Sequence, residues 1–378
     1  MRLRCAGWQH TLKGAAQFDN TRQEIPIMPS PHTAILPTPV FDWDPVARPP
    51  IAGLRPYRLE TFRLEPESGP VGGKFIVHNY GHGGAGITVS WGCALEVLDV
   101  LAKRGISQSD SIAVLGAGVM GLTVATVLRE RNLPVTVYAK SFPPNTTSNV
   151  AGGQWAPSMI NQNDGVRFDR ILRRAFATHS AKGPPFGVSH RDNYTLTRAG
   201  NFESCPRDVI PAPRQFNHLP FAHLTMPGHA YATLLVEPPI LLDKLSADLT
   251  ASNVGMVHHE FQSLSQVSGM KETIIVNCTG LGSRQLCQDN KLHSVKGELV
   301  LLPPQGNLQY LFAGHHGYVF PRRDAVVIGG SEKFDDFSDT PDMATCQRIL
   351  ANMKGLFEGT AALMFAVDAP PDWVMRSK

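Results

Sequence analysis

The sequence predicts an α/β protein on two sheets, one parallel and wound with helices, the other mixed or antiparallel. Three observations predict it. Residues 111–139 read as strand, glycine turn, helix, strand: Ser111-Ile112-Ala113-Val114-Leu115 runs into Gly116-Ala117-Gly118-Val119-Met120-Gly121. Residues 122–131 then have helical apolar spacing, and Val135-Thr136-Val137-Tyr138-Ala139 follows. The apolar stretch Thr273-Ile274-Ile275-Val276-Asn277-Cys278 ends in Thr279-Gly280, as a buried parallel strand does when its end meets a ligand. Finally, strand candidates at 298–302, 318–321 and 325–329 are joined too tightly for crossover helices, so the second sheet is antiparallel there.

The first of these is the Rossmann-like βαβ unit that binds dinucleotides. Gly116 allows the tight turn, Gly118 lets a pyrophosphate approach the backbone, and Gly121 lets the helix pack closely on the strand. The helix N-terminus offers unpaired N–H groups to the phosphates. A plain buried turn is the alternative, and the flanking strands at the right spacing argue against it.

The chain has 378 residues, enough for two substantial cores. Charged residues make up 18% and the net charge is +3, with no Lys/Arg run interleaved with aromatics, so nucleic acid is not expected as a partner. Cys5, Cys93, Cys205, Cys278, Cys287 and Cys346 form no C-x-x-C, and free thiols in a reducing compartment are expected. No apolar run reads as long enough to span a bilayer, and the N-terminus lacks the apolar core of a signal peptide. An intracellular, cytoplasmic protein is therefore expected, with no membrane partner.

Residues 1–50 are rich in proline and poor in periodicity, which predicts an extended arm rather than a packed unit. In Gly53-Leu54-Arg55-Pro56-Tyr57-Arg58 the proline holds Arg55 extended, as a fixed guanidinium fork for a carboxylate requires. A surface arginine on an edge strand is the plainer reading of this stretch alone. Phe75-Ile76-Val77-His78-Asn79 is a strand, and Tyr80-Gly81-His82-Gly83-Gly84-Ala85-Gly86 is a glycine-rich loop. A flat ligand against the bare backbone would offset the entropy such a loop loses on ordering, though a tight structural turn is the alternative. Residues 87–104 are an amphipathic helix, and 105–110 a polar link into the βαβ unit. Further on, Asn145-Thr146-Thr147-Ser148-Asn149 suits phosphate or ring contacts, and Ala151-Gly152-Gly153-Gln154-Trp155 again lays backbone bare. A basic helix at 168–179, short strands near 194–197, proline-punctuated loops at 205–228, and helices at 240–251 and 342–357 complete the pattern. His258-His259 and His315-His316 lack the spacing of metal ligands, and no metal is expected.

Together these pieces resemble the D-amino-acid oxidase family, flavoenzymes that include D-aspartate oxidase and, more distantly, glycine oxidase. The resemblance lies in 112–121, in Val137-Tyr138-Ala139 with 146–155, in 275–280, and in Gly317-Tyr318-Val319-Phe320-Pro321 running to Ile328-Gly329-Gly330. It also lies in 53–58 and in His78-Asn79-Tyr80-Gly81-His82-Gly83-Gly84-Ala85-Gly86-Ile87-Thr88. In the family the last two signatures close the chain; here they precede the nucleotide motif. A circularly permuted order accounts for this, with 105–110 joining the old C-terminal helix to the old first strand, because domain ends often lie close together on the surface. A trimmed tandem fusion would leave the same sequence.

The resemblance implies FAD as cofactor and oxidation of an amino acid at its Cα–N bond. Hydride goes to flavin N5, O₂ reoxidises the cofactor to give peroxide, and the imine hydrolyses to a 2-oxo acid and ammonia. It assigns Arg55 and Tyr318 to the substrate carboxylate and the Gly84 carbonyl to the amine. Gly83, Gly86, Ile87 and Thr88 fall near the flavin O2 edge, and Gly153 and Gln154 on its N5 side. Gly116, Ala117, Gly118, Val119, Met120, Gly121, Tyr138, Ala139, Thr146, Thr147 and Gly280 hold the rest of the cofactor. The FAD-binding part is expected at 74–158 plus 240–290, the substrate part at 51–73, 159–239 and 291–378, and a homodimer is compatible with the family. Three positions depart from the family: Lys140 stands where an acid usually meets the ribose, Gly314 replaces a second active-site tyrosine, and Glu332 stands where D-aspartate oxidases carry an arginine. The last favours D-amino acids with neutral or basic side chains. The alternative is a non-catalytic flavin-fold protein, or one with glycine, secondary-amine or D-aspartate substrates.

Overall fold

The computed structural model describes residues 34–67, 71–314 and 317–360. Its six-stranded sheet runs Arg63–Pro66, Phe75–Tyr80, Ile274–Asn277, Ile112–Leu115, Val135–Ala139, Gly255–His258, parallel throughout except for the first strand. Ile112–Leu115 and Ile274–Asn277 are buried at every position, which is why they read as unbroken apolar runs. Helices Gly86–Arg104, Val119–Arg129 and Pro238–Ala251 join this sheet in one core.

The second sheet has nine strands. Along its main path the order is Ile51–Arg58, Leu292–Leu302, Val326–Gly329, Gly317–Pro321, Leu311–Gly314, Val188–Thr195, Gly228–Val236, Arg214–Phe216; Lys333–Phe334 pairs off that path with Leu292–Leu302. Only Leu311–Gly314 on Val188–Thr195 is parallel, so the sheet is mixed. The sequence reading missed Gly228–Val236, Leu311–Gly314 and Gly255–His258. Gly228–Val236 is buried on both faces along most of its length and so lacks the alternation of a half-exposed strand.

Several expectations are corrected. Residues 35–50 are packed rather than a free arm: Leu36 N–H donates to Pro220 O, Tyr310 Oη donates to Pro37 O, and Phe41 is buried against Phe357. Proline's missing N–H is no obstacle in such an extended strap, because its carbonyls still accept, the N–H groups of its other residues still donate, and its side chains pack. Residues 1–33 lie outside the described residues. Two segments assigned to the substrate part sit with the first sheet instead. Arg63–Pro66 is the edge strand there because it pairs with Phe75–Tyr80, and the apolar face of Gly165–Lys182 (Phe168, Ile171, Leu172) joins that sheet's core. One helix, Gly83–Arg104, is in fact long and apolar enough to cross a membrane, contrary to the sequence reading. It is mostly buried inside the protein, between Val119–Arg129 and Gly165–Lys182, which accounts for its apolarity.

The basic face of Gly165–Lys182 also has a use. Glu96, buried on Gly86–Arg104, accepts from Arg170 Nε and Nη2 (2.8 and 2.7 Å), Arg174 Nη1 (3.0 Å) and Arg167 Nε (3.3 Å). Burial pushes the Glu96 carboxyl up, and the three guanidinium groups more than reverse it, leaving it below the usual carboxylate range. Glu96→Gln should therefore cost about 2 kcal/mol, read as a lower urea midpoint with unchanged slope. That is less than the roughly 3–5 kcal/mol of a fully buried pair, because the arginines keep contact with water.

Candidate active site

The carboxyl ends of the parallel strands all open onto one cavity of about 710 Å³. It is lined by Gly81–Gly84 after Tyr80, Cys278–Gly282 after Asn277, Gly116–Gly118 after Leu115, Lys140 after Ala139, and His259–Phe261 after His258. Open α/β sheets take their ligands at this edge. The far wall is the second sheet, so the cavity has a nucleotide-type end and a second end of different chemistry.

At the first end Gly116 has φ +104, and a Cβ there would lie 2.5 Å from the Cys278 carbonyl oxygen. Helix Val119–Arg129 starts at Gly118 without a side-chain cap; Ser148 Oγ accepts the Val119 N–H at 3.0 Å. Ala117, Val119, Met120, Tyr138, Ala139, Thr146, Thr147 and Gly280 line the cavity here. Gly121 does not. A Cβ on it would lie 1.9 Å from Gly116 O, so its place is to let the helix pack against the turn. Lys140 lies on the cavity wall with Nζ 3.2 Å from Glu260 Oε1, so a carboxylate does stand at this end, delivered by the neighbouring strand.

Gly83, Gly84, Gly86, Ile87, Gly153 and Gln154 line the middle. Gly153 has φ +117, and a Cβ would lie 2.7 Å from Val236 O. Thr88 is a correction: its hydroxyl donates to Ala156 O at 2.8 Å and accepts from Ala156 N–H at 3.1 Å, which ties the helix start to that loop and keeps it off the cavity wall.

The second-sheet wall carries Arg55 and Tyr318. Arg55 Nη1 donates to Ser331 O at 3.3 Å, and its charge acts on the Tyr318 hydroxyl. Burial pushes the Tyr318 phenol up, and the nearby Arg55 charge only partly offsets this, so it stays a neutral donor. Sequence reasoning missed what makes room for both groups. A Cβ on Gly297 would lie 2.4 Å from Arg55 Nη2, and one on Gly329 would lie 2.2 Å from the Tyr318 ring. The two glycines let these side chains lie flat across the sheet; a lone glycine in a strand was the available signal. Asn193, also missed, stands on the same sheet face. Gly314 and Glu332 line this end, while His315 and His316 lie outside the described residues.

A cavity with bare backbone at Gly116, Gly118, Gly153 and Gly280, a helix start at Gly118 that has no side-chain cap of its own, and a polar fork at its far end fits a flavin dinucleotide and a small anion beside it. The fold and site thus define a dinucleotide-dependent oxidoreductase. The chain belongs to the FAD dependent oxidoreductase (DAO) family, whose profile matches residues 111–377, and FAD is its cofactor. It is 27% identical over 252 residues to D-aspartate oxidase from Homo sapiens, covering 64% of this chain and 74% of that one. It is 26% identical over 253 residues to D-amino-acid oxidase from Rubrobacter xylanophilus, covering 64% and 76%. Among solved structures, glycine oxidase from Geobacillus kaustophilus shares the fold with a TM-score of 0.51 at 17% identity, covering 65% of this chain and 77% of that one.

Proposed function

We propose that the protein oxidises a D-amino acid with a neutral or basic side chain to its 2-oxo acid, releasing ammonia and hydrogen peroxide. One observation carries this reading: Arg55, Tyr318 and the Gly83–Gly84 backbone, far apart in sequence, border the same cavity as the glycine turn at 116–118. FAD supplies the hydride acceptor and the route of electrons to O₂. The chain's own task is orientation. Arg55 grips the substrate carboxylate as a planar fork, and Tyr318 Oη, held neutral, donates to the same group. The Gly84 carbonyl accepts from the amine, which fixes Cα in one attitude. Glu260, beside Lys140, takes the ribose contact that an acid at 140 would make. His82, buried at this wall, is pushed down to about 3, so it stays neutral and adds no charge to repel the substrate ammonium. Glu332 on the substrate wall argues against acidic side chains.

The test is anaerobic mixing of the FAD-loaded protein with enantiopure amino acids. Loss of the flavin absorbance near 450 nm with D- and not L-amino acids is expected; D-aspartate as the best substrate, or no bleaching at all, would refute the reading (about 450 nm being the oxidised-flavin band).

We also propose that the order of the chain is a circular permutation. The segments before 111 supply the edge strand Ile51–Arg58, which pairs with Leu292–Leu302, and the strand Phe75–Tyr80, which pairs with Ile274–Asn277, so each extends a sheet of the family-matched region at one side. The two described ends are neighbours: Phe41 and Phe357 have ring centroids 5.9 Å apart. A gene rearranged to begin at 111, with 51–104 following 360, should yield a protein that binds FAD with the same spectrum. Apo, aggregated protein across a series of joining linkers would count against it.

A further inference from the structure

Two segments pair with one edge of Leu292–Leu302 while Ile51–Arg58 holds the other, and their registers differ by one residue. Leu299 pairs with Gly329, and Lys296 pairs with Lys333. Between those pairs stand Gly297 and Glu298 on one strand, but Gly330, Ser331 and Glu332 on the other. The extra residue makes a β-bulge, which bends a strand and re-aims what it carries. Gly330 takes the tightest part, with φ +142 and a Cβ position 2.5 Å from Gly317 Cα. The bulge bears on the site directly. Ser331 O accepts from Arg55 Nη1 at 3.3 Å, and Gly330, Ser331 and Glu332 line the cavity.

At the bulge a side chain takes the place of a backbone ladder bond. Glu298 N–H donates to Ser331 Oγ at 2.8 Å, and Ser331 Oγ donates in turn to Glu298 Oε2. One hydroxyl thus closes on both the backbone and the carboxylate of one residue, which fixes how Ser331 sits and where its carbonyl points. Glu298 itself does not line the cavity. Arg55 lies over Gly297, and alternation along the strand puts the next side chain on the opposite face. There Glu298 is 2% exposed, with its Oε1 3.6 Å from Lys296 Nζ. Lys296, also buried, donates to Thr340 O at 2.6 Å and lies 3.5 Å from Asp336 Oδ2, so the chain beyond the bulge is tied to the same point.

We propose that Glu298 and Ser331 are positioning residues for the substrate carboxylate: Glu298 clamps Ser331 in the bulge, and the Ser331 carbonyl then sets the attitude of the Arg55 guanidinium. This rests on the amino-acid oxidase reading above, in which Arg55 grips that carboxylate, and adds to it a buried acid that never touches substrate. A guanidinium meets a carboxylate through two parallel N–H bonds, so a tilt of its plane weakens one of them. A displacement of about 1 Å passed on to the reacting carbon can cost about a hundredfold in rate. A buried ion pair such as Lys296–Glu298 often adds no stability over apolar side chains of the same size, so its use lies in what it holds in place.

A double-mutant cycle between Ser331 and Arg55 tests it, because residues that act through one another do not add. In the FAD-loaded protein, Ser331→Ala should lower kcat/KM by about tenfold to a hundredfold, through kcat as well as KM, with FAD still bound. Glu298→Gln, which can still accept from the Ser331 hydroxyl, should lose less than Ser331→Ala does. In an Arg55→Ala background, Ser331→Ala should cost no more than about twofold, since the carbonyl has nothing left to aim. Losses that add in full in the double variant overturn the proposal, because they would make the clamp a general support of the wall. So does a Ser331→Ala protein with wild-type kcat/KM. Should the Glu298 variant fail to fold, the cycle on Ser331 and Arg55 still decides. If no amino acid bleaches the flavin, or if Arg55→Ala is as active as wild type, the reading beneath falls and this inference with it. An impaired Arg55→Ala beside an unimpaired Ser331→Ala removes the inference alone.

Discussion

Arg55→Ala should lower kcat/KM for every amino-acid substrate by about a thousandfold while leaving FAD bound. The magnitude follows from what is lost: truncating one partner of a desolvated, hydrogen-bonded ion pair costs about 2–5 kcal/mol, and each 1.4 kcal/mol is tenfold. The loss should fall on both kcat and KM, because Arg55 both attracts the carboxylate and sets the position of Cα. Arg55→Lys separates these contributions. It keeps the charge but not the planar fork, and should recover part of the binding with little of the orientation. FAD retention follows from position, since Arg55 sits on the second-sheet wall and the glycine turn on the first sheet. Steady-state kinetics on flavin-saturated protein check it, and a loss under tenfold would take Arg55 out of substrate binding.

The parts of this site legible in the sequence are those set by local backbone. Gly116 and Gly118 announce themselves because a turn and a bare approach must be encoded where they occur, and Arg55 because Pro56 next to it fixes its strand. What the sequence hid depends on partners distant along the chain. Gly297 and Gly329 look like weak points in strands until Arg55 and Tyr318 are laid over them. The arginines at 167, 170 and 174 read as a solvated basic face, but they converge on Glu96, some seventy residues earlier. The glycine-rich motif around Thr88 points to the cofactor, and only the fold brings Ala156 close enough to claim its hydroxyl.

Lowering the pH from 7.5 to 5.0 should cost about 4 kcal/mol of unfolding free energy, most of it from two buried histidines. His82 and His179 are both fully enclosed, and burial pushes them down from 6.5 to about 3 and about 4. For His179 a hydrogen bond with Ile87 O, at 2.9 Å, opposes this only in part. Folded, both rings are neutral at pH 5; unfolded, both bind a proton below 6.5. The unfolded state thus takes up about two protons, so stability is full above pH 6.5 and falls as pH drops toward the folded values, by about 1.4 kcal/mol per histidine per pH unit. The carboxyl of Glu96 is held below its usual range, so it stays ionised at pH 5 and does not blur the signal. Against a typical total of about 5–15 kcal/mol the effect is large. Urea titrations at the two pH values measure it, and His179→Gln, whose amide can still donate to Ile87 O, should remove about half of the dependence. Equal midpoints at pH 7.5 and 5.0 would mean that the two imidazoles are not buried neutral.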